Sequence, residues 1–478
     1  MPKNRLASSK CTRARRCLAA ALSGAGVVAL PATAYAHAFG QQFVLPLPVS
    51  FYLYGAAAAV VVSFVVIACF TTDREAALKY GRYDVTDRAL VNWVVHPVVL
   101  RLGQTIGAVT LLALILAGVV GHQVPGANLA SVVVWIVAYL GLAYTCALIG
   151  DVWSVVGPFR AFARFAERPS RVRYPAWLGY LPAVAGLYIF IWLELLSSTA
   201  AGPRETTLGL VLYYAMCVVA TAVFGAAAWF RFGDFLSVFF SLLGRLSIVE
   251  RHDGRLYLRW PFVGALSHPA VHGSLALFIL LMLSSTAFDG FRETTLWARA
   301  MAGLPGADRE GVRLIVETVT LLVSPFVFFL AYAGAVALMK WITRTPLSIG
   351  ALIGHFALSL LPIALVYHFA HYFTLLLIQG QAVFALASDP FGQGWDLFGT
   401  ASMLANAGVI GAKTVWNVQL LSILAGHIAS VYLAHRLALS LFPSSRAATR
   451  SQLPMLVLMV GYTVFGLWIL AQPMNPTG

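Results

Sequence analysis

His368 and His371 stand three residues apart in Tyr367-His368-Phe369-Ala370-His371-Tyr372, and a third histidine, His427, lies in the next apolar stretch. Residues at i and i+3 share one face of a helix, so the first two imidazoles point the same way. Ionisable groups inside a bilayer are costly and are retained where they carry ions, protons or substrates. Counted at 1.5 Å per residue from one membrane face, His371 falls at about 9 Å, His368 at about 14 Å and His427 at about 20 Å. Facing helices that bring the three together would hold a divalent metal ion, with Glu194 or Glu317 adding an oxygen ligand or serving as general base. The same imidazoles could instead bond to hydroxyls and carbonyls of neighbouring helices.

The elements that carry these residues read as membrane spans. The chain is 60% hydrophobic and 10% charged with a mean hydropathy of +0.82, far outside the soluble range. Apolar runs near 51–70, 103–121, 128–149, 176–197, 207–229, 270–287, 313–339, 349–377, 414–436 and 453–472 are each long enough to cross the hydrocarbon. The expected fold is an all-α polytopic bundle of ten transmembrane helices. Ahead of it, Lys3, Arg5, Lys10, Arg13, Arg15 and Arg16 precede an apolar run and Ala34-Tyr35-Ala36, the pattern of a cleavable signal peptide over 1–36. Cleavage would make His37 the amino terminus of a 37–478 membrane domain, where its α-amine and imidazole together could chelate a metal.

Charge fixes an orientation. Lys and Arg concentrate in alternate loops, including Arg160, Arg164, Arg168, Arg171 and Arg173, and such loops stay in the cytoplasm. The mature ends then face the exported side of a bacterial inner membrane. Membrane topology and the basic leader account for the net charge of +14, so nucleic acid is not an expected partner. Cys69, Cys146 and Cys217 sit in apolar runs and imply no disulfide framework. The segment 230–260 mixes aromatics with spaced arginines and reads as an amphipathic helix lying in the interface. Residues 378–413, with Asp389-Pro390-Phe391-Gly392 and Trp395-Asp396, read as a structured exported cap.

An internal repeat runs through the first half. Gly150-Asp151-Val152-Trp153-Ser154-Val155 recurs as Gly233-Asp234-Phe235-Leu236-Ser237-Val238, and Ser197-Ser198-Thr199-Ala200 with Arg204-Glu205-Thr206-Thr207 recurs as Ser284-Ser285-Thr286-Ala287 with Arg292-Glu293-Thr294-Thr295. Parallel repeat units over roughly 128–208 and 209–296 follow, with Thr206 and Thr294 expected to cap helices. Glu194 precedes the first Ser-Ser-Thr-Ala block where the second copy has Leu281, and a carboxylate kept in one copy alone points to function. The His-rich helices 349–377 and 414–436 lie beyond the repeat. Their other histidines, His355 and His435, raise a bis-histidine haem reading, which the unequal spacing (thirteen residues on one helix, eight on the other) fits poorly. No Walker loop, dinucleotide glycine pattern or nucleophile elbow occurs.

His37-Ala38-Phe39-Gly40 leading to Leu45-Pro46-Leu47-Pro48, the Tyr367 to Tyr372 segment, Asp389-Pro390-Phe391-Gly392 with Trp395 to Gly399, and Gly426-His427 with Ala434-His435 together resemble a bacterial family of polytopic membrane proteins in which the name fenitrothion hydrolase is used. The resemblance covers most of the mature chain. It implies hydrolysis of a phosphorothioate triester with release of a nitrophenol, a hydrophobic substrate reached from the bilayer, and a second membrane subunit as partner. A metal ion could activate the water for such a reaction. The rival expectations are a transporter and a metal or haem redox protein.

Overall fold

The computed structural model describes residues 48–88, 96–159, 172–267, 272–306 and 309–472. The expected signal peptide 1–36, His37, Arg160, Arg164, Arg168, Arg171 and His268 lie outside the described residues. Among the described residues, ten helices are long and apolar enough to cross a membrane: α1 (Val49–Phe70), α2 (Val98–Val120), α3 (Leu129–Leu148), α4 (Ala176–Leu196), α5 (Pro203–Phe224), α6 (Gly273–Arg292), α7 (Glu310–Thr343), α8 (Ile349–Gln379), α9 (Ala412–Leu441) and α10 (Ser445–Leu470). This is an all-α, multi-pass membrane bundle.

Local chemistry starts and stops these helices. Proline at the first turn opens α5 at Pro203, where its missing N–H costs nothing and its fixed φ suits the helix. Asn128 and Ser348 accept backbone N–H bonds at the start of α3 and α8. A π-helical stretch, Val133–Leu142, widens α3 at its middle, a feature that recurs at functional sites.

Burial separates centre from rim. In α6 and α8, 78% and 72% of the apolar window is buried, against 17% in α1 and α7. The centre of the bundle is therefore the α6–α8 pair, with α4 and α7 also packed on α6 and with α9 on α8. One face of α8 is pinned to α9 and α10: Gln419 Nε2 donates to the Ala370 carbonyl at 2.9 Å, and the Tyr367 hydroxyl donates to the Tyr462 carbonyl. Tyr367 fits because Gly466 has no side chain, and a Cβ there would overlap its ring.

The segment 230–260 departs from expectation. Ala226–Gly233 and Phe235–Gly244 are two short helices bent by 70° at Asp234, and Phe235, Val238, Phe239, Phe240, Leu242 and Leu243 are buried in the bundle core. Residues Val249–His252 (β2) and Arg255–Arg259 (β3) then form a hairpin, joined by Arg82–Asp84 (β1) into an antiparallel sheet of order β1-β3-β2. Asp253 and Gly254, both at positive φ, make the two-residue turn whose twist suits a hairpin. In β3, Arg255, Tyr257 and Arg259 alternate with Leu256 and Leu258, the two-residue period of a strand. Arg255 pairs with Asp84 at 2.6 Å and Arg259 with Glu250 at 3.0 Å, fastening the sheet to the α1–α2 connection.

The repeated motifs have identifiable local roles. Asp151 accepts the Ser154 N–H at 3.1 Å and Asp234 accepts that of Ser237 at 2.9 Å, the same cap over the start of a short helix. Thr294 caps Thr295–Ala302 through the Trp297 N–H. Thr206 does not act as a cap. Pro203 starts α5 earlier, so Thr206 lies in the first turn, donates to the Ala200 carbonyl at 3.0 Å and accepts from Trp135 Nε1.

Gly466→Ala is expected to lower stability by about 2 kcal/mol, the cost of overpacking a filled core. Gly461→Ala on the same helix, where an added Cβ meets nothing within 4 Å, is expected to be neutral. Thermal unfolding of the two detergent-purified variants beside the parent chain checks both.

Candidate functional site

At the same end of the bundle, α6 contributes Asp289 and Arg292, α8 contributes His368, His371 and Tyr372, α4 contributes Glu194, and α7 contributes Glu317. The close pair is His371 Nε2 to Asp289 Oδ2, at 2.7 Å, with side chains 10% and 5% exposed. The Tyr372 hydroxyl donates to the same carboxylate oxygen at 3.4 Å. Arg292 meets the other oxygen, Oδ1, at 3.2 Å, and also donates to the Leu195 carbonyl at the end of α4 at 2.8 Å. Its guanidinium lies 3.9 Å from Glu317, which Arg313 holds at 3.0 Å one turn earlier on α7. Arg292 thus ties three helices together through charge.

The helical period explains the grouping on α8. His368, His371 and Tyr372 occupy i, i+3 and i+4 and face α3 and α6. The His368 ring stands among Tyr139, Tyr144, Phe239 and Tyr372, at centroid distances of 5.1, 5.8, 6.0 and 5.1 Å. Both of its nitrogens are buried without a hydrogen-bond partner, as is Glu194 Oε2. Glu194 lies beside the Tyr372 hydroxyl and within electrostatic reach of Asp289, Arg292 and Tyr139. Unsatisfied polar atoms at such depth are exceptional, and a polar ligand or water among these rings would satisfy them.

His427 is not part of this group. It meets α8 through Tyr367, with ring centroids 5.9 Å apart, and Tyr367 is about 100° around the helix from His368. Its Nδ1 bonds to the Ile423 carbonyl at 2.8 Å. His427 and the His368–His371 pair agree in depth along the bundle but differ in azimuth. Glu317, expected as a base or ligand, is engaged by two arginines. His371 Nε2 meets Asp289, and among the described residues no group of three or more His, Cys, Asp or Glu side chains is gathered closely enough to hold an ion. His435 has both nitrogens taken, by the Thr71 carbonyl at 2.8 Å and Gln452 at 2.9 Å, so axial ligation of haem through either would break one of these bonds.

Asp289 and Arg292 were not singled out by sequence. The expected apolar span stops at 287, whereas α6 continues to Arg292. The available signal was an acidic residue between Phe288 and Phe291 without a counterpart in the first repeat copy. Arg204, the counterpart of Arg292, is exposed.

The fold and site define a polytopic helical membrane protein with a buried histidine, carboxylate and arginine network near one membrane face. No family model, curated protein or solved structure matches the chain.

Asp289→Asn should destabilise the bundle by about 3 kcal/mol, because it strips a buried cation of its partner. Glu194→Gln should stay within about 1 kcal/mol, since Glu194 has no ion pair to lose. Unfolding of both variants in mixed micelles gives the comparison.

Proposed function

We propose that this chain is a proton-transferring membrane protein and, within that class, a hydrolase of apolar neutral phosphorus esters such as phosphorothioate triesters. The observation that carries the proposal is the 2.7 Å contact between His371 and Asp289. A carboxylate on one imidazole nitrogen fixes the ring's orientation and stabilises the imidazolium that forms when the ring accepts a proton. The ester class comes from the sequence resemblance. A neutral triester dissolves in the bilayer and would reach a site among helices without crossing water.

In this reaction His371 takes a proton from water as the water oxygen bonds to phosphorus and the bond to the aryl oxygen breaks. The nitrophenolate leaves with the electron pair, and the imidazolium proton passes to solvent. Tyr372, against both Glu194 and Asp289, is placed to orient the water. Asp289 and Glu317 are already engaged by Arg292 and Arg313, which leaves the imidazole as the proton acceptor of this reading. The reading puts the protein in the bacterial inner membrane with its mature ends and its site on the exported side.

One observation favours a second reading, a proton-coupled transporter. Arg292 is shared among Asp289, Glu293 and Glu317 at 3.2 to 3.9 Å, and an ion pair shared across α6 and α7 can change partners when one acid is protonated. In that case substrate flux into proteoliposomes would proceed with no product formed.

Purified protein in nanodiscs is expected to release nitrophenol from a fenitrothion-type triester. His371→Ala and Asp289→Asn should lower the rate about 100-fold or more, the usual weight of a general base, whereas His427→Ala stays within about twofold. Wild-type rates in both site variants would overturn the assignment. Metal analysis before and after chelation tests the divalent ion, with activity expected to survive chelation, and co-purification tests for a second membrane subunit.

A further inference from the structure

A second feature lies at the opposite end of the bundle. Where α4 and α6 begin and the broken helix bends, a cleft of about 500 Å³ is lined by Tyr180, Arg231, Ser241 and Arg245 on its polar side and by Ala226, Phe230, Val238, Leu242 and Leu275 on its apolar side. Arg231 and Arg245 lie within electrostatic reach of each other and of Tyr180. Among the described residues neither guanidinium meets a carboxylate. Nearby arginines meet carboxylates: Arg259 and Arg82 share Glu250, and Arg255 pairs with Asp84. Arg245 is half-buried, and its guanidinium donates to the Ser267 carbonyl at 3.3 Å.

Arg231 is exposed and Arg245 half-buried at the same cleft; two like charges facing one cleft repel each other, and an anion between them reduces that cost. The frame around them is fixed. The Tyr180 N–H donates to Ser274 Oγ at 2.8 Å and the Tyr180 ring packs edge-on against Phe232 at 5.3 Å. The 70° bend at Asp234 is what turns Arg231 and Arg245, on successive helices, towards one opening. Guanidinium forks match the geometry of phosphate oxygens, and the apolar wall accommodates hydrocarbon.

We propose that this cleft is a phosphate-binding site, taking the phosphate of an anionic phospholipid headgroup or a free phosphate of the same chemistry. It is independent of the His371–Asp289 site and uses none of its residues. Its position on the arginine-rich face puts the phosphate at headgroup level, with the apolar wall alongside the acyl region.

The full chain, purified and delipidated in a neutral detergent, is titrated with phosphatidylglycerol and with phosphatidylcholine in mixed micelles, and separately with inorganic phosphate. Bound phosphorus is read by native mass spectrometry and phosphorus NMR. Saturable binding of one anionic phospholipid per chain, weakened about tenfold in Arg231→Gln/Arg245→Gln, supports the site with a lipid source. Binding of inorganic phosphate with the same arginine dependence, without lipid binding, supports it with a free anion. Ser241→Glu, which puts a carboxylate at the exposed mouth while keeping both arginines, should weaken binding similarly and guards against misfolding of the double variant. Equal binding in parent and variants, or attraction that falls with salt and ignores Arg245, would overturn the proposal.

Discussion

Charge pairing in a medium without water is the constraint on which this structure depends. Asp289 and Arg292 lie on the most buried helix of the bundle, and neither can be left alone at that depth. Asp289 is met by Arg292, His371 and Tyr372 from two helices, and Arg292 by Glu317 and the Leu195 carbonyl from two more. The arrangement that satisfies the charges is therefore also the arrangement that places the histidine. Positioning and chemistry have one cause.

The repeated motifs stand in two different settings. Asp151 and Asp234 each accept the N–H three residues on, ahead of a short helix, so this part of the motif has a structural role in both copies. The Arg-Glu-Thr-Thr blocks diverge. In the first copy Pro203 opens a long helix and leaves Arg204 exposed. In the second, α6 continues through Ser284 and Asp289 to Arg292, so the arginine is drawn into the bundle. Each copy also supplies one carboxylate that the other lacks, Glu194 or Asp289. Symmetry built the frame, and its local breaking built the site.

Opposite ends of the bundle carry opposite electrostatics. Near the His371–Asp289 pair, cations and anions are matched within contact distance. At the other end Arg231 and Arg245 converge without an acid among the described residues. The bent helix at Asp234 and the π-helical stretch in α3, both departures from regular α-geometry, adjoin these two regions in turn: Tyr139 of α3 touches His368, and the bend shapes the arginine cleft. Irregular backbone marks the places where side chains must be aimed.

Sequence alone determined the ten spans, the motif repetition and the shared helix face of His368 and His371, because hydrophobic length and helical period are local properties. It was misled over 230–260, where the Asp253-Gly254 hairpin signal was outweighed by aromatics and arginines. The linear pattern also brought His427 into the site, since residue counts give depth but not azimuth, and only packing against Tyr367 fixes which side of α8 it meets. The partner of His371 was beyond its reach for the same reason. Asp289 lies 82 residues away in sequence, and only the packing of α6 against α8 decides that these two side chains share a proton's reach.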